Sequence, residues 1–238
     1  MPKAGSLSAA VLEAIRGLPP EAQVTALHSL REFETTFGLT GESLSRVLSD
    51  DGIGEDFRAF AAWITGATCR RKLAGLLVHL TKSNLEEKVL WEVVKALCAL
   101  RKGEDAFLSL LRSPVPVARA AAAYGLGCLG STKAGPELCR LLLDATETPS
   151  VRGHAAEALG QVGSASSLEA LLEATHVPEV EVRFWATYAL GRIGAESATS
   201  RLEELIATDH EVLDGWWSVS EEASSALREI SGGEPESE

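Results

Sequence analysis

The 238-residue sequence has few aromatic side chains and no long apolar run. Aromatic residues make up 5% of the chain, whereas alanine and leucine are abundant, which favours closely packed helices over sheets. No segment approaches the roughly 18 consecutive apolar residues of a membrane span. The first residues also lack the apolar run of a secretory signal peptide, since Glu13 and Arg16 interrupt it. We therefore expect no contact with a membrane and a cytoplasmic location.

Cysteine is also scarce. The four cysteines, Cys69, Cys98, Cys128 and Cys139, form neither a C-x-x-C pair nor any zinc-type spacing. All four fall in apolar, helix-like stretches, where a thiol behaves as a small hydrophobic group. We expect buried, reduced thiols, with no metal site and no cofactor.

Positively charged residues are scarce in the second half of the chain, and no lysine follows Lys133. From Asp144 to the end there are 19 acidic side chains and five arginines, a net charge of −14. Such a surface repels a phosphate backbone, so nucleic acid is a poor candidate ligand. It attracts basic groups, which predicts a basic protein partner for a chain that is otherwise a monomer.

A helical motif recurs with spacings of 33 and 31 residues, measured between Leu126, Leu159 and Leu190. We number each copy from that leucine as position 0. Glycine follows at +1 and again at +4, an apolar residue occupies +3, alanine −4 and arginine −7. Weaker copies surround Leu97 and Leu227, and a second amphipathic helix separates successive copies. Prolines mark the start of the next copy, and the glycines, which come after helices, are expected to end them.

The pattern V-R-x-x-A-x-x-A-L-G-x-[IVL]-G resembles HEAT repeats, in particular the bacterial phycobilisome-lyase type. The resemblance implies an all-α protein, a right-handed α-α superhelix (a HEAT-like α-solenoid) of about five to six helix pairs. Residues 54–232 form the repeats, residues 1–53 a helical cap over one end, and residues 233–238 a disordered tail. The apolar positions −8, −4, 0 and +3 are expected to pack between repeats.

Positions −5, −2 and +2 vary between copies and lie on the opposite side of the helix, so we interpret them as a concave binding surface. A longer loop at residues 209–220 adds acidic residues and a tryptophan pair, of which at least one is expected to be buried as a lid. Together these features predict partner-binding residues at Tyr124, His154, Glu157, Gln161, Trp185, Tyr188, Arg192, Asp214, Trp216, Glu222 and Glu229.

The same repeats resemble deoxyhypusine hydroxylase, a HEAT-repeat enzyme whose diiron ligands are His-Glu pairs on repeated helices. At the matching positions this chain has Gly153-His154, and the other copies have Ala120-Ala121, Phe184-Trp185 and Glu221-Glu222. One histidine does not supply the several nitrogen and oxygen ligands that iron requires. A glycosylase built on HEAT-like repeats would need a basic groove, which the acidic surface lacks.

We therefore predict a non-enzymatic module that binds a basic protein through the acidic surface. A specific version is an immunity protein that neutralises a bacterial toxin. The alternative is an accessory factor or bilin-lyase-like subunit that acts on a small-molecule chromophore, with Trp185, Tyr188 and Tyr124 lining its pocket.

Overall fold

A computed structural model describes residues 7–163 and 165–232. The described residues form fourteen α-helices joined by short turns, and the one β-type pairing among them is an isolated antiparallel bridge between Val212 and Ser218. The chain divides into two compact units, residues 1–106 and 107–238. The tail that the sequence predicts to be disordered, residues 233–238, lies outside the described residues.

The first unit contains three helices in the segment that the sequence predicts for an N-terminal cap, followed by three further helices. Phe33 of the second helix is fully buried and its ring packs against those of Phe37, Phe57 and Phe60. The division into cap and repeats at residue 53 remains a prediction. The helices are α1 (Leu7–Arg16), α2 (Pro20–Phe37), α3 (Gly41–Ser49), α4 (Glu55–Ala67), α5 (Ala74–Leu80) and α6 (Glu87–Ala99).

The second unit contains the strong copies of the motif. Each copy forms the second helix of a pair, and these second helices pack side by side in the order α8, α10, α12 and α14. The all-α, HEAT-like architecture predicted from the sequence is confirmed. The helices are α7 (Glu104–Leu110), α8 (Pro116–Leu129), α9 (Gly135–Leu143), α10 (Pro149–Val162), α11 (Leu168–Ala174), α12 (Val180–Arg192), α13 (Thr199–Thr208) and α14 (Val219–Ile230).

The two glycines of the motif have different roles, and only one matches the expectation. The glycine at +4 adopts φ of 68°, 70° and 67° at Gly130, Gly163 and Gly194, a left-handed conformation typical of a helix end. The glycine at +1 lies inside the helix instead. A Cβ on Gly160 would lie 2.7 Å from Ala189 Cα, because α10 and α12 approach closely there. The expectation that the +1 glycine ends the helix is therefore wrong.

The apolar stripe is buried largely as predicted. Val151, Ala155 and Leu159 of α10, and the matching residues of α12, have no exposed surface. Position +3 differs, since Val162 and Ile193 are only half-buried at the ends of their helices. The last turn of each helix therefore contributes less to the core than the regular pattern suggests.

The arginine at −7 of α8, α10 and α12 connects each of these three repeats to the next. Arg119 pairs with Glu147, Arg152 with Glu179, and Arg183 with both Asp209 and Glu211, in each case 26 to 28 residues further along the chain. In the first unit, Arg58 pairs with Glu86 in the same way. These acids lie just before the second helix of the following pair. Part of the negative charge is thus used to hold successive helices in register.

The cysteines are less buried than expected. Cys69 is exposed and has a φ of 52°, while the other three are half-buried. None of the described helices combines the length and the apolar character that a membrane crossing requires.

Candidate functional site

The variable positions of the second unit lie on neighbouring helices and converge with the loop that precedes α14. Their side chains combine carboxyl groups with aromatic rings. We call this region the acid–aromatic surface and define it by Glu157, Glu181, Trp185, Tyr188, Trp216 and Glu222.

Aromatic rings form a continuous cluster at the centre of this surface. Phe184 is fully buried, whereas the adjacent Trp185 is half-buried, so the pair faces both the core and the outside. The Trp185 ring packs edge-on against Tyr188 at a centroid distance of 5.5 Å and against Trp216 at 5.1 Å. Trp217 packs on Trp216 at 5.4 Å. The rings therefore support one another while their outer faces remain accessible.

The loop at residues 209–218 is a short hairpin that presents both tryptophans. The Leu213 amide donates to the Trp217 carbonyl, the Trp216 amide donates to Leu213, and Gly215 takes a positive φ of 78° at the turn. Trp216 is 48% exposed and Trp217 is 44% exposed. The expectation that at least one of them is buried as a lid is wrong. The rings lie on the surface because the underlying space is already filled by Phe184.

Glu222 is the buried carboxyl group of the surface, with only 4% of its area exposed. Its Oε2 accepts a hydrogen bond of 2.8 Å from the Trp217 indole Nε1–H. Burial raises the pKa of Glu222 to about 7, opposed by the indole hydrogen bond and increased by the nearby Glu229 carboxylate. The sequence predicts that Glu222 lies on an exposed face. This prediction is wrong, because Glu222 is buried.

A second polar group extends from α8 to α10. His154 Nδ1 lies 2.8 Å from the Ser150 carbonyl oxygen, and its ring meets Tyr124 edge-on at 6.5 Å. Gln161 donates to Glu157 at 2.9 Å. Burial raises the pKa of Glu157, while the neighbouring His154 acts in the opposite direction. These four predicted residues are therefore brought together.

Gly153 makes room for the contact between α10 and the start of α12. A Cβ at this position would lie 3.0 Å from Trp185 Cδ1 and 3.2 Å from Glu181 Cγ. The Glu181 and Trp185 side chains, one helical turn apart, therefore both border Gly153. Burial raises the pKa of Glu181, and His154 again acts in the opposite direction.

Tyr188 lies among the charged residues of the surface. Burial raises the pKa of its phenol, and the Glu157, Glu229 and Glu222 carboxylates raise it further, against the effect of Arg192. Arg192 and Glu229 are exposed at the edge of this group. Asp214 is also exposed, at the turn of the hairpin, and belongs to the outer rim.

Three residues of the site were missed by sequence reasoning. Glu181 lies at position −9, outside the variable positions. The sequence feature that could have indicated it is Gly153, whose missing side chain leaves room for Glu181. Trp217 was treated as a lid rather than as a hydrogen-bond donor. Phe184 was not among the predicted site residues, and its ring packs under both tryptophans.

The family model described as HEAT repeats matches residues 104–181 and 143–228, which together span more than half of the chain. The chain is a HEAT-repeat protein. The complex of CpcE and CpcF of phycocyanin lyase from Nostoc sp. PCC7120 shares the fold, with a TM-score of 0.50 at 18% identity over 98% of this chain and 97% of that one.

Curated relatives of this HEAT-repeat protein are named deoxyhypusine hydroxylase. The one from Neurospora crassa is 37% identical over 102 residues, which cover 42% of this chain and 32% of the relative. The one from Mus musculus is 36% identical over 118 residues, covering 48% and 39%. The matched segment thus spans 32% to 39% of the length of these relatives. Because they are named as enzymes, they contradict our prediction of a non-enzymatic protein-binding module and of an immunity protein.

The HEAT-repeat helices of this chain do not carry the donors that a diiron centre needs. At the positions where the resemblance implies His-Glu pairs, α8 has two alanines, α12 has Phe184-Trp185 and α14 has two glutamates. His154 bonds within its own helix. Within residues 7–163 and 165–232, no three His, Cys, Asp or Glu side chains come together as a metal site. The residues present therefore do not fit iron.

Proposed function

We propose that this HEAT-repeat protein is an enzyme related to the deoxyhypusine hydroxylases, and that its acid–aromatic surface binds a cationic amine group of the substrate. The relatives' names support an enzyme with an amine-bearing substrate. The short coverage of those relatives and the mismatch at the metal positions leave their oxidative chemistry outside the proposal. What we propose to be shared is recognition of the substrate.

One observation carries the proposal, namely that Glu181 and Trp185 both border Gly153 while the exposed ring of Trp216 packs on Trp185. An ammonium group over an indole face gains about 0.5–1 kcal/mol when exposed and about 2 kcal/mol or more when desolvated. A carboxylate at the ring edge adds Coulombic attraction. A bound cation would also favour the ionised form of Glu181, whose pKa burial raises.

The distribution of charge supports a cation rather than a phosphate-bearing ligand. The chain from Asp144 onward has a net charge of −14, and three of its carboxyl groups belong to the acid–aromatic surface. A phosphate backbone would be repelled there, whereas an amine would be attracted.

Tetramethylammonium is a suitable probe because it is cationic at every pH. We expect it to quench tryptophan fluorescence with millimolar affinity, and neutral tert-butanol to have no comparable effect. Trp216→Ala should weaken binding about fivefold, the equivalent of about 1 kcal/mol. Trp63→Phe, in the first unit, is the matched control. Equal binding of the neutral probe, or full affinity in the Trp216 variant, would show that the site is misplaced.

Turnover is tested with a deoxyhypusine-bearing protein, the substrate that the relatives' names indicate. We expect it to compete with tetramethylammonium. Mass spectrometry after incubation with iron(II) then detects any modified form of that substrate protein. A hydroxylated product would mean that the chain assembles a metal centre from residues other than those at the repeat positions, and our donor argument would be wrong.

We also propose that the repeats are of the phycobilisome-lyase HEAT-like type, that the protein is a monomer and that it is located in the cytoplasm. The V-R-x-x-A-x-x-A-L-G pattern supports the first point. Sedimentation of the purified protein tests the second.

A further inference from the structure

Glu222 is a buried carboxyl group for which the structure provides no cationic partner among the described residues. It is 4% exposed, and its hydrogen bond comes from the neutral indole of Trp217. Burying an unpaired carboxylate is unfavourable, and proteins normally avoid it or keep the group protonated. The arrangement therefore requires an explanation beyond packing.

The repeat itself does not require a carboxyl group at this place. Position −5 is occupied by Ala121 in α8, His154 in α10 and Trp185 in α12, and each of these helices packs against a neighbouring second helix, as α14 packs against α12. An apolar residue would fill the position without the electrostatic penalty. Perturbed carboxyl groups that the fold does not need are typical of functional sites.

The groups that face Glu222 come from each neighbouring element. Helix α12 contributes Tyr188, α14 itself contributes Glu229, and the hairpin contributes the Trp217 indole. On α13, Arg201 is engaged elsewhere, with Thr175 and Glu204. No facing group stabilises the carboxylate by opposite charge, so both protonation states are accessible near neutral pH.

We propose that Glu222 is a proton-transfer residue of the acid–aromatic surface and that the hairpin of residues 209–218 covers it through Trp217. In the forward direction its Oε–H bond breaks, the proton passes to a basic atom of the substrate, and the carboxylate remains. In the reverse direction the carboxylate takes a proton from an acidic atom. The identity of that substrate rests on the proposed function, but the titration of Glu222 does not.

The hairpin can uncover Glu222 without disturbing the core. Arg183 holds its base by pairing with Asp209 and Glu211, and the Val212–Ser218 bridge closes it. Trp217 itself is nearly half exposed, so moving its ring breaks one hydrogen bond and ring contacts rather than core packing. The hairpin is therefore fixed at its base by ion pairs, and uncovering Glu222 requires only that the Trp217 hydrogen bond and ring contacts break.

The first experiment follows tryptophan fluorescence of the full chain from pH 5 to 9 without ligand. We expect a transition near pH 7 as Glu222 ionises beside the Trp217 indole, and its loss in Glu222→Gln. Glu229→Gln and His210→Asn are the controls, because each removes another ionisable side chain near the hairpin while leaving Glu222 in place. Far-UV circular dichroism establishes that each variant is folded. A missing transition in the wild type, or one that persists in Glu222→Gln, overturns the proposal.

The second experiment measures protons released on binding of tetramethylammonium at pH 7, by calorimetry in two buffers of different ionisation enthalpy. The probe cannot itself exchange a proton, so any proton comes from the protein. About half a proton should be released by the wild type and none by Glu222→Gln. Failure of the probe to bind would refute the proposed function, whereas the ligand-free titration would still decide the role of Glu222. Binding with no proton release would refute that role.

Discussion

The close approach of α10 and α12 predicts that replacing one helical glycine by alanine destabilises the protein, opposite to the usual effect. In an unhindered helix, Gly→Ala stabilises by up to about 1 kcal/mol. At Gly160 the new methyl group would lie 2.7 Å from Ala189 Cα and 2.9 Å from its Cβ. The first of these is backbone, which cannot move aside without shifting α12. Overpacking of this kind costs about 1–3 kcal/mol, so we expect a net loss of about 1–2 kcal/mol.

The assay is urea unfolding followed by circular dichroism, with Gly75→Ala, at an exposed helical glycine of α5, as the control. A Cβ at Gly75 meets no atom within 4 Å, so its substitution should leave the stability unchanged or slightly increase it. If Gly160→Ala stabilises the protein to the same extent as Gly75→Ala, the two helices are further apart than described and the role assigned to the +1 glycine is refuted.

Three further predictions concern the core, the inter-repeat ion pairs and the buried acid. Leu159→Ala should lower the free energy of unfolding by about 2–5 kcal/mol in urea, because its side chain is fully buried; a loss near zero would refute the register. Arg183→Ala should cost about 1.5–3 kcal/mol, since it pairs with Asp209 and Glu211, whereas exposed Arg192→Ala should change stability by less than about 0.5 kcal/mol. Because folding raises the pKa of Glu222 to about 7, its contribution to stability is greatest at acid pH and declines as pH rises from about 4.5 to 7. Glu222→Gln should remove that decline, at most about 3 kcal/mol, and parallel pH curves for the two proteins would contradict it.

The fold was predictable because the same residue types recur where the same contacts recur. Leu126, Leu159 and Leu190 lie in identical packing environments, so three aligned copies reveal what one copy cannot. The prediction for the +1 glycine was wrong because a sequence shows that the glycine has no side chain, but not which neighbouring residue fills the space that a side chain would take. At Gly160 that neighbour, Ala189, is 29 residues away.

The site was predictable only in part. Positions −5, −2 and +2 identified Trp185, Tyr188 and Glu157 correctly as neighbours on one surface. The burial of Glu222 could not be read from helical periodicity, because the group that covers it, Trp217, belongs to a hairpin with no counterpart in the other repeats. The function predicted from charge alone was wrong, because negative charge is equally compatible with binding a basic protein and with holding an amine substrate.

The arginine at −7 has a consequence for how such a chain can change in length. Each of the repeats of α8, α10 and α12 supplies a guanidinium group to the following repeat, so a single one of them can be removed or repeated as a unit. Excising residues 120–152, a segment of 33 residues, would leave Arg119 facing the acid that Arg152 now uses, Glu179. Duplicating the segment would likewise create one new donor and one new acceptor. Recombination between these copies can therefore shorten or lengthen the chain by whole repeats while every arginine at −7 keeps an acidic partner, whereas a deletion that removes only part of a repeat would separate an arginine from its acid.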